Sequence, residues 1–295
     1  MSEKPMFERL ALIGLGLVGA SIAHVTRREN LAGHIAGCAA TETTRARALQ
    51  LGFVDSVNAD AAEAAAEADL VILCSPVGTF APIAQAIAPA LKAGAILSDV
   101  GSVKESVIRD IQPHVPSGVH FVPGHPVAGT EHSGPDAGFA ELFEERWCIL
   151  TPPEGTDADA IERLSDFWRR AGSRVEIMAA SHHDLVLAIT SHIPHLIAYN
   201  IVGTAADLEA VTESEVIKYA AGGFRDFTRI AASDPVMWRD VFLSNQDAVL
   251  DVLGRFSEDL AALQRAIRWG DGEALQKLFE RTRAIRREIV DAGQA

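Results

Sequence analysis

The chain has 295 residues, 22% charged and 48% hydrophobic, ordinary globular usage with room for two domains. A formal net charge of -14 weighs against nucleic acid and anionic membranes as partners, and it obliges any acidic substrate to meet locally gathered arginines. Three scattered cysteines (Cys38, Cys74, Cys148) make neither a disulfide framework nor a metal cluster. No uninterrupted run reaches the ~18 apolar residues of a membrane span, and no export signal is read at the N-terminus, so a cytoplasmic protein is expected.

Residues 9–13 read as a buried strand running into Gly14-Leu15-Gly16-Leu17-Val18-Gly19, with a helix from about Val18 to Asn30. This G-x-G-x-x-G predicts a dinucleotide site. Gly14 permits a tight turn, Gly16 leaves room for a pyrophosphate, and Gly19 allows close helix packing. Leu17 and Val18 open the helix, whose first N–H groups face the anion. Residues 33–39 read as a second strand. The position at its end that usually carries an acid for the ribose hydroxyls is Ala39. Thr41 and Arg45 follow and suit a 2′-phosphate, whereas Glu42 opposes one, so NAD and NADP both stay open. Arg45 also reads as a solvated helix residue.

A helix over 42–51 stops at Gly52, and an alanine-rich helix spans 59–68. Residues 69–74 form a strand closed by Ser75-Pro76. A helix over 79–91 and a strand over 95–100 follow. Alternating strand and helix predict an α/β, Rossmann-type, doubly wound and mostly parallel sheet. Ligands bind at the carboxyl ends of its strands, so Ser75, Pro76 and residues 99–102 should border the cofactor. Beyond a short strand at 119–122, residues 123–134 read as a loop. Strands at 147–150 and 175–178 flank a helix over 157–170, with Thr156 as its expected cap. From Ala180 the pattern turns helical, with a kink expected at Pro194 and segments near 207–219, 236–244, 246–268 and 271–291. A dinucleotide-binding domain over 1–179 and an all-helical second domain over 180–295 are expected.

His125, held between Gly124 and Pro126, is the candidate base, since histidine titrates near neutral pH. Ser102, after a central strand, is placed to orient its imidazole, and equally to cap the following helix. His182, His183, His192 and His195 crowd a short stretch without a matched carboxylate or cysteine spacing, so no metal site is assigned. Arg225, Asp226 and Arg229 offer a guanidinium fork for a substrate carboxylate, with Asp226 and Arg229 at i,i+3. Trp238, Arg239, Asp240, Asn245 and Gln246 read as packing groups.

Taken together, GLGLVG at 14–19, DVGSVK at 99–104, GHPVAGTEHSG at 124–134, SHHD at 181–184, SHIPH at 191–195 and GGFRDFTRIAASDPVMWRD at 222–240 resemble the prephenate/arogenate dehydrogenase family of tyrosine biosynthesis. The resemblance implies oxidation of a ring hydroxyl by a nicotinamide cofactor with loss of the ring carboxylate as CO2. It implies His125 as general base with Ser102 as partner, and Arg229 as carboxylate binder supported by Asp226 and His195. It places Glu131 near the substrate entrance and implies a homodimer through the helical domain. Neither a fused regulatory or mutase domain nor control by a separate domain is expected. Two alternatives compete. A 3-hydroxyacid dehydrogenase-like Rossmann reductase is disfavoured because no lysine lies between Lys104 and Lys218. A non-catalytic dinucleotide-binding interaction protein would bind cofactor without turning over any cyclohexadienyl substrate.

Overall fold

A computed structural model describes residues 4–130, 132–209 and 222–291. They divide into two compact units, 1–246 and 247–295. The first unit is built on a six-stranded, wholly parallel sheet in the order β3-β2-β1-β4-β5-β6. Its strands are β1 (Phe7–Ile13), β2 (Ala32–Cys38), β3 (Ser56–Asn58), β4 (Leu70–Leu73), β5 (Ile96–Asp99) and β6 (His120–Phe121). Helices α1 (Leu17–Arg28), α2 (Glu42–Leu51), α3 (Ala61–Ala65), α4 (Phe80–Ile87) and α5 (Glu105–Ile111) join them.

The strand sequences account for a sheet covered on both faces. Along β1, Leu10 and Leu12 enter one apolar cluster with Ile22, Val25 and Phe167. Ala11 and Ile13, pointing the other way, enter a second with Val71, Phe80 and Leu97. The order reverses between β1 and β4, so the loop after β1 opens at the switch point where such sheets bind ligands.

Three elements depart from the sequence expectation. Residues 124–126, expected within a loop, form strand β7 (Gly124–Pro126), antiparallel to β8 (Trp147–Leu150), which pairs parallel with β9 (Arg174–Ile177). Pro126 removes a donor, yet edge strands tolerate this. Helix α6 (Ala158–Arg170) is capped by Asp157, whose carboxylate accepts from Ala160 N–H at 2.9 Å. Thr156 instead donates its hydroxyl to the Pro153 carbonyl. Ser102 does not cap α5. The Lys104 and Glu105 N–H groups donate to the Asp184 carboxylate at 2.7 and 2.9 Å, so the cap comes from 79 residues or more away.

Those bonds join Lys104 and Glu105 to Asp184 within the compact unit that runs to residue 246. Helix α7 (Ala180–Leu187) continues through a π-helical turn, Ala188–His192, into α8 (Ile193–Glu209). The wide turn falls just before Pro194, where the missing N–H and the ring disturb the regular ladder. The expected kink is therefore taken up as a widened turn. Ala180–Leu208 has the length and mean hydropathy, 1.5, of a membrane span, although polar residues break its apolar run. His183, Asp184 and His192 are nonetheless fully enclosed on this helix and hydrogen-bonded within the unit. Helices α9 (Gly222–Thr228) and α10 (Pro235–Ser244) follow. The predicted segment at 207–219 lies largely outside the described residues. The second unit comprises α11 (Gln246–Trp269), after its first residue, and α12 (Gly272–Asp291).

Candidate active site

The glycine turn has the shape a pyrophosphate needs, for three separate reasons. Gly14 adopts φ +115°, and a Cβ there would lie 2.6 Å from the Cys74 carbonyl carbon. At Gly19 a Cβ would lie 2.0 Å from the Gly14 carbonyl oxygen, so this glycine packs the helix against the turn itself. A Cβ on Gly16 would meet nothing within 4 Å. Gly16 is also the N-cap of α1 and supplies no side-chain bond, which leaves the helix N–H groups, including those of Leu17 and Val18, to an incoming anion. The open position and the uncapped helix fit a dinucleotide.

Around this turn, Ser75 and Pro76 follow β4, with the Ser75 hydroxyl 2.9 Å from that of Thr79. Thr41 is the N-cap of α2 and accepts from Thr44 N–H at 3.2 Å. Arg45 is not a freely solvated helix residue. Its guanidinium donates to the Ala39 and Ala40 carbonyls at 2.6 and 3.0 Å, which holds the charge at the carboxyl end of β2.

The backbone of β7 is anchored by a buried ion pair. Lys104 Nζ lies 2.5 Å from Asp99 Oδ2, and both side chains are fully enclosed. Lys104 also donates to the Gly124 carbonyl at 2.7 Å, while Asp99 accepts from the N–H groups of Gly124 (3.2 Å) and Gly101 (2.8 Å). Burial pushes the Asp99 carboxyl up and the Lys104 ammonium down, and each counters the other's shift by its charge. The next residue, His125, is 7% exposed. Burial, then the neighbouring His183, Lys104 and His192, hold its imidazole well below the usual histidine value. It is therefore neutral at pH 7, the form a base must take.

The expected hydrogen bond between Ser102 and His125 is not formed. Among the described residues the ring's partner is His183, with His125 Nδ1 2.8 Å from His183 Nε2. His183 Nδ1 lies 2.8 Å from Asp184 Oδ1. Next along the helix, His192 Nδ1 is 3.1 Å from Asn245 Nδ2, which also donates to the Asp184 carbonyl at 2.9 Å. Of the four residues that hold the candidate base, Lys104, His183 and Asp184 thus carried no role in the sequence reading, and Asp99 was read only as bordering the cofactor. Their signal was there, in charged and imidazole groups set among otherwise apolar strand and helix positions.

Burial depresses His192 to about 4, with the charge of Asp184 offsetting part of that, and Nε2 gains no hydrogen bond. The unfolded chain binds this proton near pH 6.5 and the folded one only near 4, so the unfolded state holds more protons in between and stability rises with pH. From pH 7 to pH 5 this residue alone is expected to cost about 2 kcal/mol, approaching about 3 kcal/mol below pH 4. Urea melts at both pH values check this. His192→Gln should flatten the dependence relative to wild type, and identical slopes would remove His192 as its source.

On the substrate side, His195 donates Nδ1–H to the Ser191 carbonyl at 2.9 Å and stacks on Trp238, with centroids 3.7 Å apart at 24°. His192 meets the edge of the same indole at 6.0 Å. Burial lowers His195, opposed by the Ser191 bond, and the charge of Arg229 lowers it further, which places the guanidinium within electrostatic reach. Arg229 begins a 3-10 turn, Arg229–Ala232, instead of sharing a helix with Asp226. Asp226 faces its neighbour Arg225 at 3.5 Å, both largely exposed. Glu131 lies outside the described residues.

A parallel sheet with a glycine cradle at its switch point, and a neutral buried imidazole at the end of a neighbouring element, define a nicotinamide-dependent dehydrogenase. Comparisons with known proteins narrow this. The family description "prephenate dehydrogenase, nucleotide-binding domain" matches residues 22–177, and "prephenate dehydrogenase, dimerization domain" matches 179–281. The chain belongs to the prephenate dehydrogenase family. It is 45% identical to a cyclohexadienyl dehydrogenase of Zymomonas mobilis, over 95% of this chain and 96% of that one. It is 33% identical to a prephenate dehydrogenase of Bacillus subtilis, over 95% and 76%. The crystal structure of prephenate dehydrogenase from A. aeolicus with hydroxyphenyl propionate and NAD+ superposes with a TM-score of 0.89 at 34% identity, covering 98% of this chain and 99% of that one.

Proposed function

We propose that this chain catalyses oxidative decarboxylation of prephenate, arogenate or both in tyrosine biosynthesis, with His125 taking the proton of the ring hydroxyl. The observation that carries the reading is the neutral, buried imidazole on a backbone clamped at Gly124, in the same compact unit as a cradle open at Gly16. Gly14, Gly16, Leu17, Val18 and Gly19 hold the pyrophosphate, with Ser75 and Pro76 bordering the cofactor. A nicotinamide held there would supply the hydride acceptor for oxidation at C4 of the cyclohexadiene ring. His125 removes the hydroxyl proton, so that C4 becomes a carbonyl carbon. The C1 carboxylate departs as CO2, its bonding electrons complete an aromatic ring, and the resulting phenolate oxygen takes back the proton held on His125. Aromatisation drives the reaction, so the protein's contribution is placement and charge. Arg229 binds a substrate carboxylate, with His195 and Asp226 around it and Glu131 near the entrance. Ser102 is the proposed partner of His125 when substrate is present.

Arg45 and Thr41 lie at the end of β2 where the ribose is read, with Ala39 in place of an acid. We therefore keep both NAD and NADP as cofactors and propose that Arg45 favours the 2′-phosphate. The test crosses prephenate and arogenate with NAD and NADP, for wild type and Arg45→Ala, following reduced nicotinamide by absorbance. Turnover with at least one pair is expected, and none would refute the enzyme reading. Arg45→Ala should raise KM for NADP roughly tenfold, as loss of a charge-assisted contact of about 1.5 kcal/mol implies, and leave NAD unchanged. Equal effects on the two would remove that role.

The functional division is placed at 179/180, with the second part as the substrate and dimerisation domain. A homodimer is supported by the family description matched at 179–281 and by exposed apolar residues on α11 and α12, among them Leu260, Ile267, Phe279 and Ile285. Cytoplasmic residence is proposed on the three free cysteines.

A further inference from the structure

The path Asp184, His183, His125 crosses between β7 and α7 through two hydrogen bonds of 2.8 Å each. The roles along it follow from what each atom is able to do. Asp184 accepts two backbone N–H groups at the start of α5, so its carboxylate is the acceptor toward His183 as well. His183 must then carry its proton on Nδ1. A neutral imidazole protonated at Nδ1 has only a lone pair on Nε2. That nitrogen faces His125 Nδ1, which must therefore be the donor. The remaining nitrogen of His125, Nε2, makes no hydrogen bond to the described residues.

We propose that His183, held by Asp184, is a positioning residue that fixes His125 as the Nδ1–H tautomer, so that Nε2 presents the lone pair that takes the substrate proton. The proposal rests on the reading of His125 as the base. The charged and titratable groups around the path are Lys104 and Asp99 from the β5 side, Cys148 on β8, His192 on the following turn and Asp184 itself. Burial opposes a positive charge on both rings and Lys104 adds to it, together outweighing the Asp184 and Asp99 carboxylates that favour one on His183. Both rings are thereby kept neutral, as the tautomer argument requires. The opposite arrangement, an imidazolium at 183 donating from Nε2, would put the proton of His125 on Nε2 and block it as a base.

The test has two parts. In full-length enzyme with ring-15N-labelled histidine, His125, assigned by loss of its signals in His125→Asn, should show an unprotonated Nε2 from pH 6 to pH 9. A protonated Nε2 in the wild type would overturn the proposal. Then His183→Leu, which has no acceptor, should lower kcat on the better substrate by roughly 100-fold, within the range for a general base. KM for substrate and cofactor should stay within about twofold. His183→Gln, whose amide oxygen can accept from Nδ1–H, should recover most of that loss. Leu and Gln variants equally active, or equally impaired with raised KM, would mean packing alone. The tautomer measurement needs no turnover, so it separates failure of this proposal from failure of His125 as the base.

Discussion

Replacing His125 with asparagine is expected to lower kcat by roughly 10²–10⁴-fold, the usual contribution of a positioned general base. The fold should survive. Gly124 is gripped through its backbone by Asp99 and Lys104, so β7 does not depend on the imidazole for its place. Cofactor affinity should be unchanged, because the glycine turn and α1 hold the pyrophosphate. Steady-state kinetics together with a cofactor fluorescence titration check both halves. A variant with near-wild-type kcat would end the assignment of His125 as the base. One with lost cofactor binding would show that the substitution had disturbed the cleft instead.

Arg229→Ala is expected to raise KM for the cyclohexadienyl substrate by roughly 30- to 150-fold, from loss of a charged hydrogen-bonding partner worth about 2–3 kcal/mol. The net charge of -14 sharpens the effect, since the protein's own field repels an anionic substrate wherever a local cation does not reverse it. Because Arg229 also acts on His195, the variant should release His195 from one of the influences that lower it. NMR titration of that ring should show its pKa rising. An unaltered KM would remove Arg229 from the carboxylate site, whatever happens to His195.

The parts legible in the sequence were those governed by neighbours along the chain. Three glycines at fixed spacing announced the cradle because each answers a local demand: a positive φ at 14, open space at 16, contact with a backbone oxygen at 19. The long apolar strands announced the sheet in the same way. Strand β7 was not legible, because Gly-His-Pro has no alternation of its own and becomes a strand only through pairing with β8, some 25 residues later. The cap of α5 was hidden for a similar reason. Ser102 stands where a local cap would, and a carboxylate from α7 takes the N–H groups instead.

Within the site, His125 was legible as a chemical group and its surroundings were not. Ser102 was the obvious partner by chain position, whereas His183 reaches the ring from 58 residues away. The SHHD run could be noticed as a cluster, yet nothing in its spacing told which histidine turned inward. Arg45 was ambiguous between solvent and cofactor until its bonds to the carbonyls of 39 and 40 gave it a fixed position. Asp226 and Arg229 looked like one helical pair, and the helix instead passes into a 3-10 turn at Arg229.

Because both backbone groups of Gly124 are bound, one to the last residue of β5 and the other to Lys104 just beyond it, the proton acceptor belongs mechanically to the half of the molecule that also bears the glycine cradle. The residues proposed to read the substrate sit on other segments. Divergence can then proceed unevenly: the stretch around 222–232 is free to explore new ring substituents while the chemistry stays in register. Asp99 and Lys104 have no such latitude, since a change in either leaves its partner's charge stranded in the interior.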